Sequence, residues 1–99
     1  MNQRSYRERI VQTVVTMMKT RHDHTIFLGS EEMWVSEIFS ELCDKYPKMV
    51  TYRMLAQIMR DKKVFEDVTP EGEKRVGRRY RLNRSIADRT MEEIMDLVR

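Results

Sequence analysis

Between Ile38 and Met59 the chain carries two short stretches with apolar residues at helical intervals, and Pro47 stands between them. Ile38, Phe39, Leu42 and Cys43 fall on one helical face, and Met54, Leu55, Ile58 and Met59 fall on another. Proline donates no backbone hydrogen bond and biases the residue before it away from helical geometry, so the chain must turn at Pro47. Thr51 offers a side-chain cap to the second stretch, and Asp61-Lys62-Lys63 closes it. The first stretch has a cap in Ser36, which makes Met33 to Val35 a short strand. A rival reading starts that helix at Ser30 and moves the strand to Thr25 through Leu28, within a loop that otherwise runs to Ser30.

The rest of the chain supplies three more elements. From about Ser5 to Lys19, Tyr6, Ile10, Val14, Met17 and Met18 recur at three- and four-residue steps and predict an amphipathic helix. Val64 to Val68 is rich in β-formers and precedes Thr69-Pro70-Glu71-Gly72, a turn sequence, so a hairpin is expected. In its return strand, Arg75 to Leu82, one phase holds Val76, Tyr80 and Leu82 and the other holds Arg75, Gly77, Arg79 and Arg81. One sheet face is then core and the opposite face cationic, with Arg78 near the exposed end or at an irregularity. A last helix is expected over about 85–99, begun by Ser85 with Asp88 or by Thr90 with Glu93, and carrying Ala87, Met91, Ile94, Met95 and Val98 at helical intervals. With no repeat, low-complexity tract or linker, residues 1–99 read as a single domain, its core over about 5–83.

Composition narrows the class. With 40% hydrophobic and 35% charged residues, a chain of 99 residues suits one folded domain with a heavily charged surface. No apolar run approaches the roughly 20 residues of a membrane-spanning helix, and no secretory signal stands at the N-terminus, so an intracellular, cytoplasmic or nucleoid-associated setting without membrane partners is expected. The single Cys43 has no cysteine companion and reads as a buried helix residue. His22-Asp23-His24 lacks further ligands nearby in sequence and reads as a solvated loop, not as a metal site. The methionines fall largely in core phases. No nucleophile motif or phosphate loop is found, so neither an enzyme nor a cofactor is expected. Net charge is +3, but its distribution is uneven. Lys74, Arg75, Arg78, Arg79, Arg81 and Arg84 form a basic run free of acids, whereas Glu31, Glu32, Glu37, Glu41 and Asp44 form an acidic segment.

Helix, short strand, helix, turn, helix and hairpin, carried by Met33 to Asn83 and preceded by the helix from Ser5, resembles the winged helix-turn-helix family of DNA-binding proteins. The fold class expected is therefore α+β, mostly helical, with a two-stranded wing and an additional C-terminal helix. The resemblance implies that the helix from about Thr51 to Arg60 lies in the major groove of double-stranded DNA and that the wing meets the backbone or the adjacent minor groove. Arg53, Gln57 and Arg60 share an outward stripe, and arginine and glutamine can pair with guanine and adenine edges. Lys48 and Thr51 are placed to meet phosphates near the helix N-terminus, and Tyr52 either approaches the DNA or packs. In the wing, Arg75, Arg79 and Arg81 suit phosphate contact, whereas Glu71 and Glu73 at the tip repel it, so the strand stems are expected to touch DNA. Lys63 stands where the family commonly has glycine.

The function expected is a sequence-specific regulator of transcription binding a palindromic site as a homodimer. The alternative is a winged-helix protein-interaction module whose cationic strand meets an acidic partner. Met91, Ile94, Met95 and Val98 form the expected dimer interface, unless the last helix folds back on Ile10 and Val14 of its own chain.

Overall fold

The computed structural model describes residues 3–73 and 77–98. Among these residues five α-helices, one turn of 3-10 helix (Glu71–Glu73) and a three-stranded antiparallel sheet make a small, mostly helical α+β domain. Helix α1 (Gln3–Asp23) places Ile10, Val11, Val14, Val15 and Met18 in the core along one stripe. It runs four residues past Lys19, where apolar periodicity stops, because its last turn is anchored by polar contacts. Lys19 Nζ donates to the Ala87 carbonyl at 2.7 Å, Arg21 pairs with Glu37, and His22 bridges Glu31 and Asp88.

The segment with strand potential, Thr25–Leu28, is instead one helical turn, α2. Thr25 Oγ1 donates back to the Arg21 carbonyl, and Gly29, at φ 85°, closes the turn by donating to the Thr25 carbonyl at 2.8 Å. Only glycine adopts that left-handed conformation at little cost.

Strand β1 (Met33–Trp34) leads directly into α3 (Val35–Lys45), so the strand and helix order read from the sequence holds while the cap does not. Ser36 lies inside the first turn. Glu37 Oε1 accepts from the Trp34 backbone N–H at 3.1 Å and fixes the helix start in its place. Val35, Ile38 and Leu42 are buried, and Cys43, expected in the core, is only half-buried. After Tyr46 the chain turns through Pro47 and Lys48, the latter at φ 63°, and buries Val50. Thr51 accepts from the Met54 N–H at 3.1 Å and starts α4 (Tyr52–Met59), with Leu55, Ile58 and Met59 facing inward.

Strands β2 (Phe65–Asp67) and β3 (Arg79–Leu82) form the hairpin, and β1 pairs with the other side of β3, giving the order β1-β3-β2. Phe65 pairs with Leu82 and Met33 with Tyr80 on the core side, whereas Trp34 pairs with Arg79 and Glu66 with Arg81 on the outer side. The two phases expected of the return strand are therefore present over Arg79–Leu82. Arg75 and Val76 lie outside the described residues.

Helix α5 (Met91–Val98) begins later than Ser85. Asn83 Oδ1 accepts from both the N–H and the hydroxyl of Ser85, which holds 84–89 in turns and buries Ile86 and Ala87. Thr90 supplies the cap, accepting from the Glu93 N–H at 3.2 Å. Among the described residues no helix is long and apolar enough to cross a membrane.

Candidate nucleic-acid interface

Helix α4 divides cleanly. Its core side is held by Leu55, Ile58 and Met59, and this fixes Arg53, Gln57 and Arg60 on the opposite side, all exposed. Arg53 and Gln57 make no side-chain hydrogen bond or ion pair among the described residues. Tyr52 does both things open to it: its ring packs on Phe39, centroids 4.7 Å apart, while about half its surface (48%) stays exposed. Thr51 is exposed but its hydroxyl already caps α4, so only its remaining capacity faces outward. Lys48 stands exposed in the preceding turn.

The stripe continues past the end of α4. Arg60 and Lys62 line a hollow of about 540 Å³ between the end of α4 and the hairpin, together with Tyr80 and with Asn83, whose Nδ2 donates to the Lys62 carbonyl at 3.1 Å. Burial and the charge of Asp67 raise the Tyr80 phenol above its ordinary range, and Arg78 and Arg60 oppose them, so Tyr80 faces this hollow as a neutral hydroxyl. Lys62 was not singled out from the sequence, where it reads only as part of a helix-closing run. Its position beside Arg60 depends on the turn that Asp61 organises by accepting from the Lys63 N–H at 3.1 Å.

The strand arginines Arg79 and Arg81, expected to meet phosphate, sit among carboxylates. Arg79 pairs with Glu32 at 3.3 Å and Glu73 at 2.9 Å, and its guanidinium carbon lies 4.2 Å from the centroid of the Trp34 ring. Arg81 Nε donates to Glu66 Oε2 at 2.6 Å, and Glu31 approaches its other nitrogen at 3.8 Å. Arg78 pairs with Asp67, and Arg84 lies 3.9 Å from Glu31. The acidic and basic segments, separate in sequence, thus meet on the outer face of the sheet and cancel. The carboxylates beside these guanidiniums offset their charge and repel a phosphate. Glu73, expected to repel DNA at the wing tip, instead belongs to this ionic layer. Arg75 lies outside the described residues.

The dimer interface expected on the last helix is also corrected. Ile94 and Met95 are buried within the chain, and Met91 and Val98 pack partly against the same core, to which α1 contributes Ile10 and Val14. The apolar stripe of α5 is therefore covered by its own chain.

His22 is no loop residue. It ends α1 half-buried, with Nδ1 3.0 Å from Glu31 and Nε2 2.8 Å from Asp88. The Asp88 hydrogen bond raises its pKa above the ordinary 6.5, burial opposes, and Glu31 adds to the rise. His24 is exposed, and among the described residues no group of three or more His, Cys, Asp or Glu side chains is placed to hold a metal ion. Comparison of the chain with protein-family models, with curated proteins and with solved structures gives no match.

Proposed function

We propose that this chain is a winged helix-turn-helix domain that binds double-stranded DNA by sequence and regulates transcription, as a binding module without catalytic activity. The succession α1, β1, α3, α4, β2, β3 with sheet order β1-β3-β2 supports the fold reading. The observation that carries the function is the contrast between two sets of cations. Arg79 and Arg81 are neutralised by carboxylates, whereas Arg53 on the exposed face of α4, with Lys48 before it and Lys62 after it, has no carboxylate partner among the described residues. A projecting helix with free arginine and glutamine side chains suits the major groove, where both residue types can make paired hydrogen bonds to base edges. The sheet then braces the domain through its ionic outer layer instead of reaching for phosphates. The same neutralisation removes the argument for an acidic protein partner on the strand.

Selection of bound duplexes from a random pool tests the reading. Recovery of a defined motif, with binding that weakens steeply as salt rises, is the expected result. A pool that shows no enrichment over successive rounds argues against sequence-dependent binding.

A further inference from the structure

A groove of about 610 Å³ runs between α1 and α3, and two contacts fix how its walls line up. Arg21 on α1 pairs with Glu37 on α3 at 3.3 Å, and Thr13 on α1 meets the Tyr46 hydroxyl, just past the end of α3, at 2.9 Å. The two helices therefore run antiparallel along the groove. Lys45 stands level with Thr13, at the same end as Arg9 and Gln12, and Glu41 stands level with Met17. Buried Met33 and half-buried Met17 and Tyr46 lie deepest, and exposed Leu28 forms part of the rim.

The polar groups divide along the same axis. Thr16 Oγ1 donates to the Gln12 carbonyl at 2.8 Å and Thr13 Oγ1 to the Arg9 carbonyl at 2.9 Å, which leaves the Tyr46 hydroxyl to donate to Thr13. Arg21 is held by Glu37. Arg9, Gln12 and Lys45 make no side-chain hydrogen bond or ion pair among the described residues, so the free nitrogen donors of the groove gather at one end.

We propose that this groove binds a medium-chain carboxylate, its acid group between Arg9 and Lys45 and its alkyl chain along Met17 and Met33. The lining carries three cations, Arg9, Arg21 and Lys45, against the one carboxylate of Glu41, so an anion is the occupant its charge selects. A guanidinium, an ammonium and an amide at one end supply charge-assisted hydrogen bonds to a carboxylate. Methionine side chains, flexible and polarisable, mould to an alkyl chain better than branched ones do. Arg9 and Met17 lie about 12 Å apart along the axis of α1, a span that separates an acid group from the far part of its chain. Glu41, level with Met17, repels a second negative charge there, and the ligand is for that reason an acid at one end only. The volume is ordinary for a small-molecule site. No residue of α4 lines the groove, so the proposal stands whatever α4 binds.

Proton–nitrogen NMR titration of the full chain with octanoate, octanol and acetate tests this, repeated for octanoate and octanol on Arg9→Gln, Lys45→Gln and the double variant. Arg9 and Lys45 are exposed, so neither substitution disturbs the core, and the dispersion of the same spectra reports that each variant is folded. Octanoate is expected to give saturable shifts centred on Thr13, Met17 and Met33. Octanol, which keeps the chain without the charge, and acetate, which keeps the charge without the chain, are each expected to bind about tenfold more weakly or less tightly still. Each single variant should weaken octanoate binding by about three- to tenfold, and the double variant should bind octanoate no better than octanol. Absence of saturable shifts with octanoate overturns the proposal, as do shifts centred on the exposed turn at Ile26 and Phe27. Octanol binding as tightly as octanoate to the unsubstituted chain, or full octanoate affinity in the double variant, overturns it too.

Discussion

Arg81 and Glu66 face each other across the β2–β3 register, with Nε donating to Oε2 at 2.6 Å. The pair sits on the outer side of the sheet next to Arg79, Trp34, Glu31 and Glu32, and it converts what reads in sequence as a cationic strand into an internally neutral layer. Arg81→Ala leaves Glu66 and Glu31 without their shared partner, and Glu66 is partly solvated, which limits the cost. The expected loss is about 1–2 kcal/mol in chemical denaturation, with DNA affinity unchanged under conditions where the variant is folded.

Lys48 couples local strain to the proposed interface. Its φ of 63° is unfavourable for a residue with a side chain, and glycine relieves that strain while freeing more conformations in the unfolded chain. Lys48→Gly is therefore expected to stabilise the domain by about 0.5–1 kcal/mol in denaturant titration. The same variant should bind DNA more weakly, with the slope of log affinity against log salt reduced by about 0.9 for one lost phosphate contact.

His22 ties the end of α1 to Glu31 and to Asp88, and the sign of its pH dependence follows. Its folded pKa lies above 6.5, so the stabilisation from the imidazolium is complete below about 6.5 and is lost as pH rises through the folded value. The His22 hydrogen bond holds Asp88 below its ordinary 3.8, so the share from Asp88 is present above that value and is lost as pH falls through the folded one. The difference in melting temperature between the chain and His22→Gln should be largest near about pH 5.5 and shrink by about pH 8. A difference that grows with pH contradicts the clasp.

The α5 stripe is core, and its truncation should read as such. Ile94 is fully buried. Ile94→Ala is expected to cost about 2–4 kcal/mol through lost transfer energy and a cavity, measured by urea unfolding.

Much of this architecture is legible in the sequence. The α3 and α4 faces, the Thr51 cap, the hairpin and the two phases of β3 all follow from local periodicity and turn chemistry, which act over a few residues. What local patterns do not carry is the partner of a charge. Arg79 and Arg81 read as free because their partners come together only in the sheet: Glu73 and Glu66 through the hairpin, and Glu31 and Glu32, some fifty residues away in the chain, once β1 pairs with β3. The end of α1 is hidden for the same reason: Lys19, Arg21 and His22 are polar, and the contacts that keep them helical lie on Ala87, Glu37, Glu31 and Asp88. The helical turn at Ile26 and Phe27 defeats β-propensity because Gly29 closes it and Thr25 ties it back to the Arg21 carbonyl. Of the candidate site, the outward residues of α4 were readable, since an inward face fixes its opposite. The neutralisation of the strand was not.

In the proposed function α4, and not the strand arginines, reads DNA. Fluorescence-anisotropy titration of a selected duplex against the chain, Arg53→Ala, Gln57→Ala and Arg81→Ala, repeated across a salt series, tests it most directly. Arg53→Ala and Gln57→Ala are each expected to weaken binding to that duplex by about 1–3 kcal/mol and to flatten discrimination against mismatched duplexes, whereas Arg81→Ala is expected to change neither affinity nor salt slope. Unchanged affinity in Arg53→Ala and Gln57→Ala, or a loss confined to Arg81→Ala, would contradict it.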